Sequence, residues 1–574
     1  MTAPRVSEPT LGPLQGILSL PRRLGLWRAR RRASPGWTAA VAAILAVMLL
    51  PIATTVWLAL QPAENTWWHL TATVIPNVLL QTGILLVGVS LVTLAVGTIA
   101  AWIVTMYRFP GHAIVDRLLV LPLAMPTYII AYAYVDVLDF TGPVQSALRA
   151  ATGWTAVTDY WFPSVRSTGG AVLVLSSALY PYVYLTARAS FVQQSVCVLE
   201  VARTLGQSPW GAFRWVALPL AKPALAAGLT LALMESLNDL GAVQHLGVET
   251  LSAAIYTTWL QRSNLAGAAQ IALVALMLVA ALFWAEIMLR GGGRVHATTG
   301  RLRAIPFADL QGWRALAALA VCAIPVMAGF GIPFLVLATN SAHHMSEAME
   351  QGVWRAAGNS VMLAGITALV AVALGIVLAY ARRVAANGFT RPAVRVAGLG
   401  YALPGTVLAL GLIYPLAAFD NGLDALARQW FGVSTGLLLS GTLAALVLAY
   451  SVRFLAVAHG TIEAGLERIS PNLDAAARTL GETALSALRR VHLPLLLPAL
   501  ATSALLVFVD AMKELPATLL MRPFNFETLS THVYALASLE QVEAASVGAV
   551  AIVLVGLVPV LLLHKAIADG RAGG

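Results

Sequence analysis

Residues 37–60 run without one charged side chain. About 20 apolar residues in helical conformation cross the hydrocarbon of a bilayer, so this run reads as a membrane-spanning helix. Eleven more stretches of the same character follow, near 78–106, 116–138, 169–190, 223–243, 268–289, 314–338, 359–381, 394–418, 434–457, 498–520 and 544–564. The composition agrees, with 59% of the 574 residues hydrophobic and 11% charged. Soluble domains carry about 25% charged residues and about 45–50% apolar ones. A soluble enzyme, a disordered protein and a single-anchor receptor are excluded. The expected fold class is an all-α polytopic membrane protein of about twelve helices. Cys197 and Cys322 stand far apart and make neither a metal cluster nor a disulfide framework.

The charges place the loops. Residues 1–36 are basic and end in Arg28, Arg30, Arg31 and Arg32, and the apolar run behind them is too long for a cleavable signal. The loops after the even spans hold most of the cations: Arg108 and Arg117; Arg188, Arg203, Arg214 and Lys222; Arg382, Arg383, Arg391 and Arg395; Arg453, Arg468, Arg478, Arg489 and Arg490. A linker at 291–313 adds Arg294, Arg301 and Arg303. Cytoplasmic loops carry the cationic excess, so the even loops and both termini are expected in the cytoplasm. The formal charge of +10 is thereby explained by topology, and no nucleic-acid motif accompanies it.

The chain repeats itself. Val201-Ala202-Arg203-Thr204-Leu205-Gly206 returns as Ala476-Ala477-Arg478-Thr479-Leu480-Gly481, an offset of 275 (201 to 476). Leu218-Pro219 returns as Leu493-Pro494 in the same register, while Met125-Pro126 pairs with Leu403-Pro404 and Glu249-Thr250-Leu251-Ser252 with Glu527-Thr528-Leu529-Ser530 at 278. Two parallel six-helix repeats, at 37–290 and 314–574, follow. Parallel repeats are related by an axis along the membrane normal, with the transport site at their interface.

Each copy of the fourth- and tenth-loop motif has a small-residue helical segment, a Gly, and thirteen residues later the Pro of a Leu-Pro pair. This resembles the EAA loop of the permease subunits of binding-protein-dependent ABC importers. The resemblance implies a type I importer fold and coupling to ATPase subunits through Glu200, Ala202 and Gly206 in the first copy and Asp474, Ala477 and Gly481 in the second. The second copy departs from the pattern, with Ala475 at the acidic position and Asp474 one residue earlier. The plainer reading is a pair of interfacial amphipathic helices, which leaves the repetition unexplained. A P-loop needs Gly-Lys followed by Ser or Thr. The lysines are Lys222, Lys513 and Lys565, and none follows a Gly. ATP and Mg2+ are therefore expected on a separate ATPase, and no catalytic residue is assigned.

Two spans carry charges at matching places: Glu235, Asn238 and Asp239 in the fifth, and Asp510, Lys513 and Glu514 in the eleventh. Spacing of i, i+4 puts Glu235 with Asp239, and Asp510 with Glu514, on one helix face. A charge at mid-membrane costs about 2.5–3.5 kcal/mol on insertion scales and generally faces the bundle interior or water. These six residues are the candidate translocation pathway, with the acids suited to a cation and Lys513 pairing with Asp510 or Glu514. The alternative is that the acids serve packing and salt bridges near the interface.

Lys513-Glu514-Leu515-Pro516-Ala517-Thr518-Leu519-Leu520 with Arg522-Pro523 and Phe526-Glu527-Thr528-Leu529 resembles the ferric-iron branch of these permeases, which also occurs as two fused domains. That likeness implies a bacterial inner-membrane permease importing Fe3+. Its implied partners are a periplasmic or lipoprotein ferric-binding protein and a homodimeric ATPase. Thiamine import within the same class, an ion-driven secondary transporter and a non-transporting scaffold remain the rivals. Tyr128, Tyr132, Tyr134, Asp136 and Asp139 could offer hard oxygen donors but read mainly as packing, and His112, His245, His492 and His532 lack metal-ligand spacing.

Overall fold

The computed structural model describes residues 35–61, 67–193, 206–290, 308–350, 352–385 and 387–572. Glu200, Ala202 and Cys197, residues 1–34 and most of the linker lie outside them. Eleven helices are long and apolar enough to cross a membrane, and one bent pair makes a twelfth. In chain order they are α1 (Pro35–Ala59), α2 (Trp67–Met106), α3 (Thr127–Leu138), α4 (Thr168–Gln193), α5 (Leu218–Asn238), α6 (Leu265–Arg290), α7 (Gly312–Ser346), α8 (Val353–Val384), α9 (Gly405–Phe431), α10 (Leu443–Glu467), α11 (Leu493–Met512) and α12 (Val542–Ala572). Among the described residues the fold is all-α apart from one short parallel pairing of Tyr107–Arg108 with Ala308–Asp309, which ties the end of the linker to the end of α2.

Prolines cut the third and ninth spans at equivalent points. A residue before Pro is pushed out of the helical region, and Met125 and Leu403 both adopt extended conformations with ψ of 118° and 122°. The chain bends by 95° between His112–Ala124 and α3. The expected uninterrupted spans at 116–138 and 394–418 are thus each a short helix, a break and a second helix.

The first helix of each half packs on the other half. Pro51 of α1 abuts Gly411 of α9, where a Cβ would lie 2.2 Å from the Pro51 carbonyl oxygen. Gly329 of α7 meets α4, where a Cβ would lie 2.1 Å from the Ser177 carbonyl oxygen. Only glycine permits such approaches. The halves defined by sequence repetition are therefore interlocked in space.

Polar contacts sort the loops onto two faces. Arg383 reaches across the even loops to Asp474 (2.7 Å), beside an Arg382–Glu463 pair. On the opposite face Arg166 bonds Asp139 (3.3 Å), and His344 meets Glu543 (3.1 Å). Two cations assigned to cytoplasmic loops are corrected here. Arg188 lies inside α4 and Arg453 inside α10, both buried. Each is tolerated because an acid meets it: Arg188 pairs with Asp116 at 2.7 Å, and Arg453 with Glu514 at 3.2 Å. The Tyr184 hydroxyl donates a second bond to Asp116 (2.5 Å).

Removing one member of a buried pair strands the other charge and costs about 3–5 kcal/mol. Arg188→Met is expected to lower the unfolding midpoint of the detergent-solubilised protein. Adding Asp116→Asn restores most of the loss. Equal destabilisation in the single and double variants would show that the pair's charge is not what matters.

Candidate substrate pathway and coupling face

The helical ladder of α5 stops at Asn238, and Asp239 adopts φ −64°, ψ 129°. Its carboxylate accepts the amides of Ala242 (2.9 Å) and Val243 (3.3 Å) at the start of the helix Gly241–His245, and takes the Thr127 hydroxyl as well. In the other half α11 ends at Met512, and Glu514 accepts the amide of Ala517 (2.9 Å) in the helix Pro516–Met521. Carboxylates at helix N-termini satisfy donors that lipid would leave bare. The repeated Glu-Thr-Leu-Ser motif closes each detour. Thr250 and Thr528 cap the next helices, and Leu251 N and Leu529 N bond Thr82 (3.2 Å) and Ser360 (2.7 Å). Asp239 is the cap residue of α5, its amide still bonded to Glu235 O (3.0 Å), whereas Glu514 sits past the end of α11.

The residues converge nonetheless. Glu235, Asn238, Asp239, Asp510, Lys513 and Glu514 all line one cavity of about 100 Å3 at the meeting of the halves. Lys513 pairs with Asp510 at 3.0 Å. Glu235 lies beside the phenols of Tyr182 and Tyr401, which also line the cavity. Asp239 and Glu514 are 7% and 4% exposed. Asn238 takes hydrogen bonds from the second half, from Gly405 N (2.7 Å) and Arg453 Nη1 (3.0 Å). Arg453 is a lining residue that sequence reasoning missed. Its signal was a lone cation between Val452 and Phe454 inside an apolar run. Four acids face two cations here, so the lining is net negative when all are ionised.

The tyrosines Tyr128, Tyr132 and Tyr134 are buried, with the Tyr134 hydroxyl donated to the Ala328 carbonyl (2.8 Å). Asp136 accepts from Asn340 (3.1 Å) and Asp139 pairs with Arg166. Among the described residues no group of three or more His, Cys, Asp or Glu is placed to hold a metal ion.

On the even-loop face the two motif copies fold alike where described. Gly206 and Gly481 are exposed in the left-handed region, at φ of +84° and +80°. Each is followed by a hydroxyl-capped turn, with Ser208 accepting Gly211 N and Thr483 accepting Ser486 N, and by a helix that runs into α5 or α11. In the second copy Ser470 caps the helix Pro471–Thr479, whose Ala477 is buried. Asp474 turns inward, where Arg383 holds one carboxylate oxygen and His492 lies 3.0 Å from the other. Arg383 also bonds the carbonyls of Leu466 (2.6 Å) and Ile469 (3.0 Å). The loop helix is thereby bolted to α8, α10 and α11.

Residues 93–290 and 371–572 each match the family described as the inner membrane component of binding-protein-dependent transport systems. The chain is 26% identical over 498 residues to the Fe(3+)-transport system permease protein FbpB 2 of Haemophilus influenzae, covering 85% of this chain and 90% of that one. It is 29% identical over 223 residues to the sulfate transport system permease protein CysT of Escherichia coli, which covers 37% of this chain and 76% of the relative. The molybdenum transport system permease protein ModB of the same organism is 29% identical over 194 residues, 33% of this chain and 81% of the relative. With two such domains in one polypeptide, the chain belongs to the family of binding-protein-dependent transport permeases.

Proposed function

We propose that the chain carries Fe3+ across the membrane by alternating access, with a ferric-binding protein docking on the odd-loop face and a homodimeric ATPase, holding ATP and Mg2+, on the even-loop face. The even loops and both termini then lie in the cytoplasm of a bacterial inner-membrane importer. The observation that carries the cation reading is the cavity, where Glu235 and Asp510 lie on equivalent helices with Asp239 and Glu514 beyond their ends. An oxyanion such as the sulfate in the name of one relative would meet net negative charge there, whereas a trivalent cation is attracted to it. The likeness to the Fe(3+) permease supports the same choice. Gly206 and Gly481 give the coupling loops the sharp turns an ATPase groove would grip, and Asp474 fixes the second loop to its spans.

Three outcomes test this. In the complex purified with its own ATPase and reconstituted in proteoliposomes, a Fe3+-loaded binding protein stimulates ATP hydrolysis and the iron-free form does not. Stimulation by a sulfate- or thiamine-loaded protein instead would reassign the cargo. Replacing Glu235→Gln together with Asp510→Asn lowers Fe3+ uptake while the complex still assembles, and uptake at the wild-type level would remove the acids from the pathway.

The coupling loop is tested by Gly481→Val. A side chain in the left-handed region costs about 1–2 kcal/mol, so the turn deforms and uptake per ATP falls or the ATPase dissociates. Gly481→Asn, which tolerates that conformation, retains most coupling. Normal uptake by the Val variant would show that the turn does not matter.

A further inference from the structure

At the cavity one carboxamide ties the two halves, beside the contacts that Tyr401 makes with Glu235 and Tyr182. Asn238 Oδ1, from the first half, accepts Gly405 N at 2.7 Å and Arg453 Nη1 at 3.0 Å, both from the second. The same Nη1 lies 3.2 Å from Glu514 Oε1. The approach is so close that a Cβ on Gly405 would lie 2.8 Å from both Arg453 Nη1 and Glu514 Oε1. Nothing symmetrical faces it. At the offset of 275, Asn238 corresponds to Lys513 and Arg453 to Ala178, and Lys513 bonds Asp510 within its own half.

Arg453 is 5% exposed, and its Nε–H meets no protein acceptor among the described residues. Its ties are those of Nη1 to Asn238 and Glu514.

We propose that Arg453 is the gate bar of the pathway, an internal cation that occupies the acidic cavity when it is empty and holds the halves together through Asn238 until a multivalent cation takes its place. This rests on the cation reading above. The lining carries four carboxylates, and Arg453 and Lys513 neutralise part of that charge. An arriving cation of higher charge is attracted to this lining more strongly than either. Its field repels the guanidinium, the Arg453–Asn238 bond breaks, and the interface is free to open. Both internal cations come from the second half, so the latch is one-sided.

The experiment uses the whole complex in proteoliposomes. Asn238→Ala removes the acceptor while leaving every charge in place. Its basal ATP hydrolysis, measured without binding protein, is expected to rise about tenfold, equivalent to about 1.4 kcal/mol, which the loss of the two bonds to Asn238 Oδ1 can supply. Asn238→Asp strengthens the tie and is expected to slow turnover driven by the Fe3+-loaded binding protein. Unchanged basal hydrolysis in the Ala variant, or unchanged or faster turnover in the Asp variant, overturns the proposal. Basal hydrolysis is read with no cargo present. Failure of the wild-type complex to respond to Fe3+ therefore refutes the cargo assignment and leaves the latch measurement standing on its own.

Discussion

A helix in lipid can stop halfway only if something else satisfies the backbone it leaves unpaired. In this protein Ser252 and Ser530 donate to the Leu237 and Met512 carbonyls at the ends of α5 and α11, and Asp239 and Glu514 serve the helices that follow. Each takes up amides just past the end of a broken span, and the chain then folds back under the caps of Thr250 and Thr528. Because α5 and α11 end there, a space opens between the halves. The residues that line it are the ends of those helices and the loops that follow.

All four acids line the cavity, and two of them, Asp239 and Glu514, also hold the backbone. A charged cap in the membrane interior is costly alone. It is tolerated here because Thr127 and Arg453 engage the same carboxylates. Both pairs line the cavity, and the caps at Asp239 and Glu514 give that lining its backbone support.

Joining two repeats in one chain releases them from identity. A pore built from two copies of one subunit must place the same residue on both sides of its axis. Here Lys513 opposes Asn238, and Arg453 opposes Ala178. The second half supplies all the positive charge in the cavity and the first supplies the acceptor that bridges to it. Interlocked first helices keep the halves in register, with α1 lying on α9 and α7 on α4.

Much of this was legible in the sequence because bilayer thickness and repetition leave few choices. Twelve apolar runs fixed the number of spans, the offset of 275 fixed their pairing, and the recurring Pro and Glu-Thr-Leu-Ser motifs marked the breaks, although not as breaks. Helical spacing does not show where a helix ends, so the caps at Asp239 and Glu514 come only from the structure. Charge counting misled at Arg188 and Arg453, since a count of loop cations cannot see that a buried acid waits for an arginine inside a span. Sequence by itself determined a two-fold membrane bundle with acids in matching spans, because hydrophobic length and internal repetition are local properties of the chain. Only the tertiary structure decided that Arg453, Asn238 and Glu514 meet. Residues more than 200 positions apart are brought within hydrogen-bond reach solely by how the two halves pack.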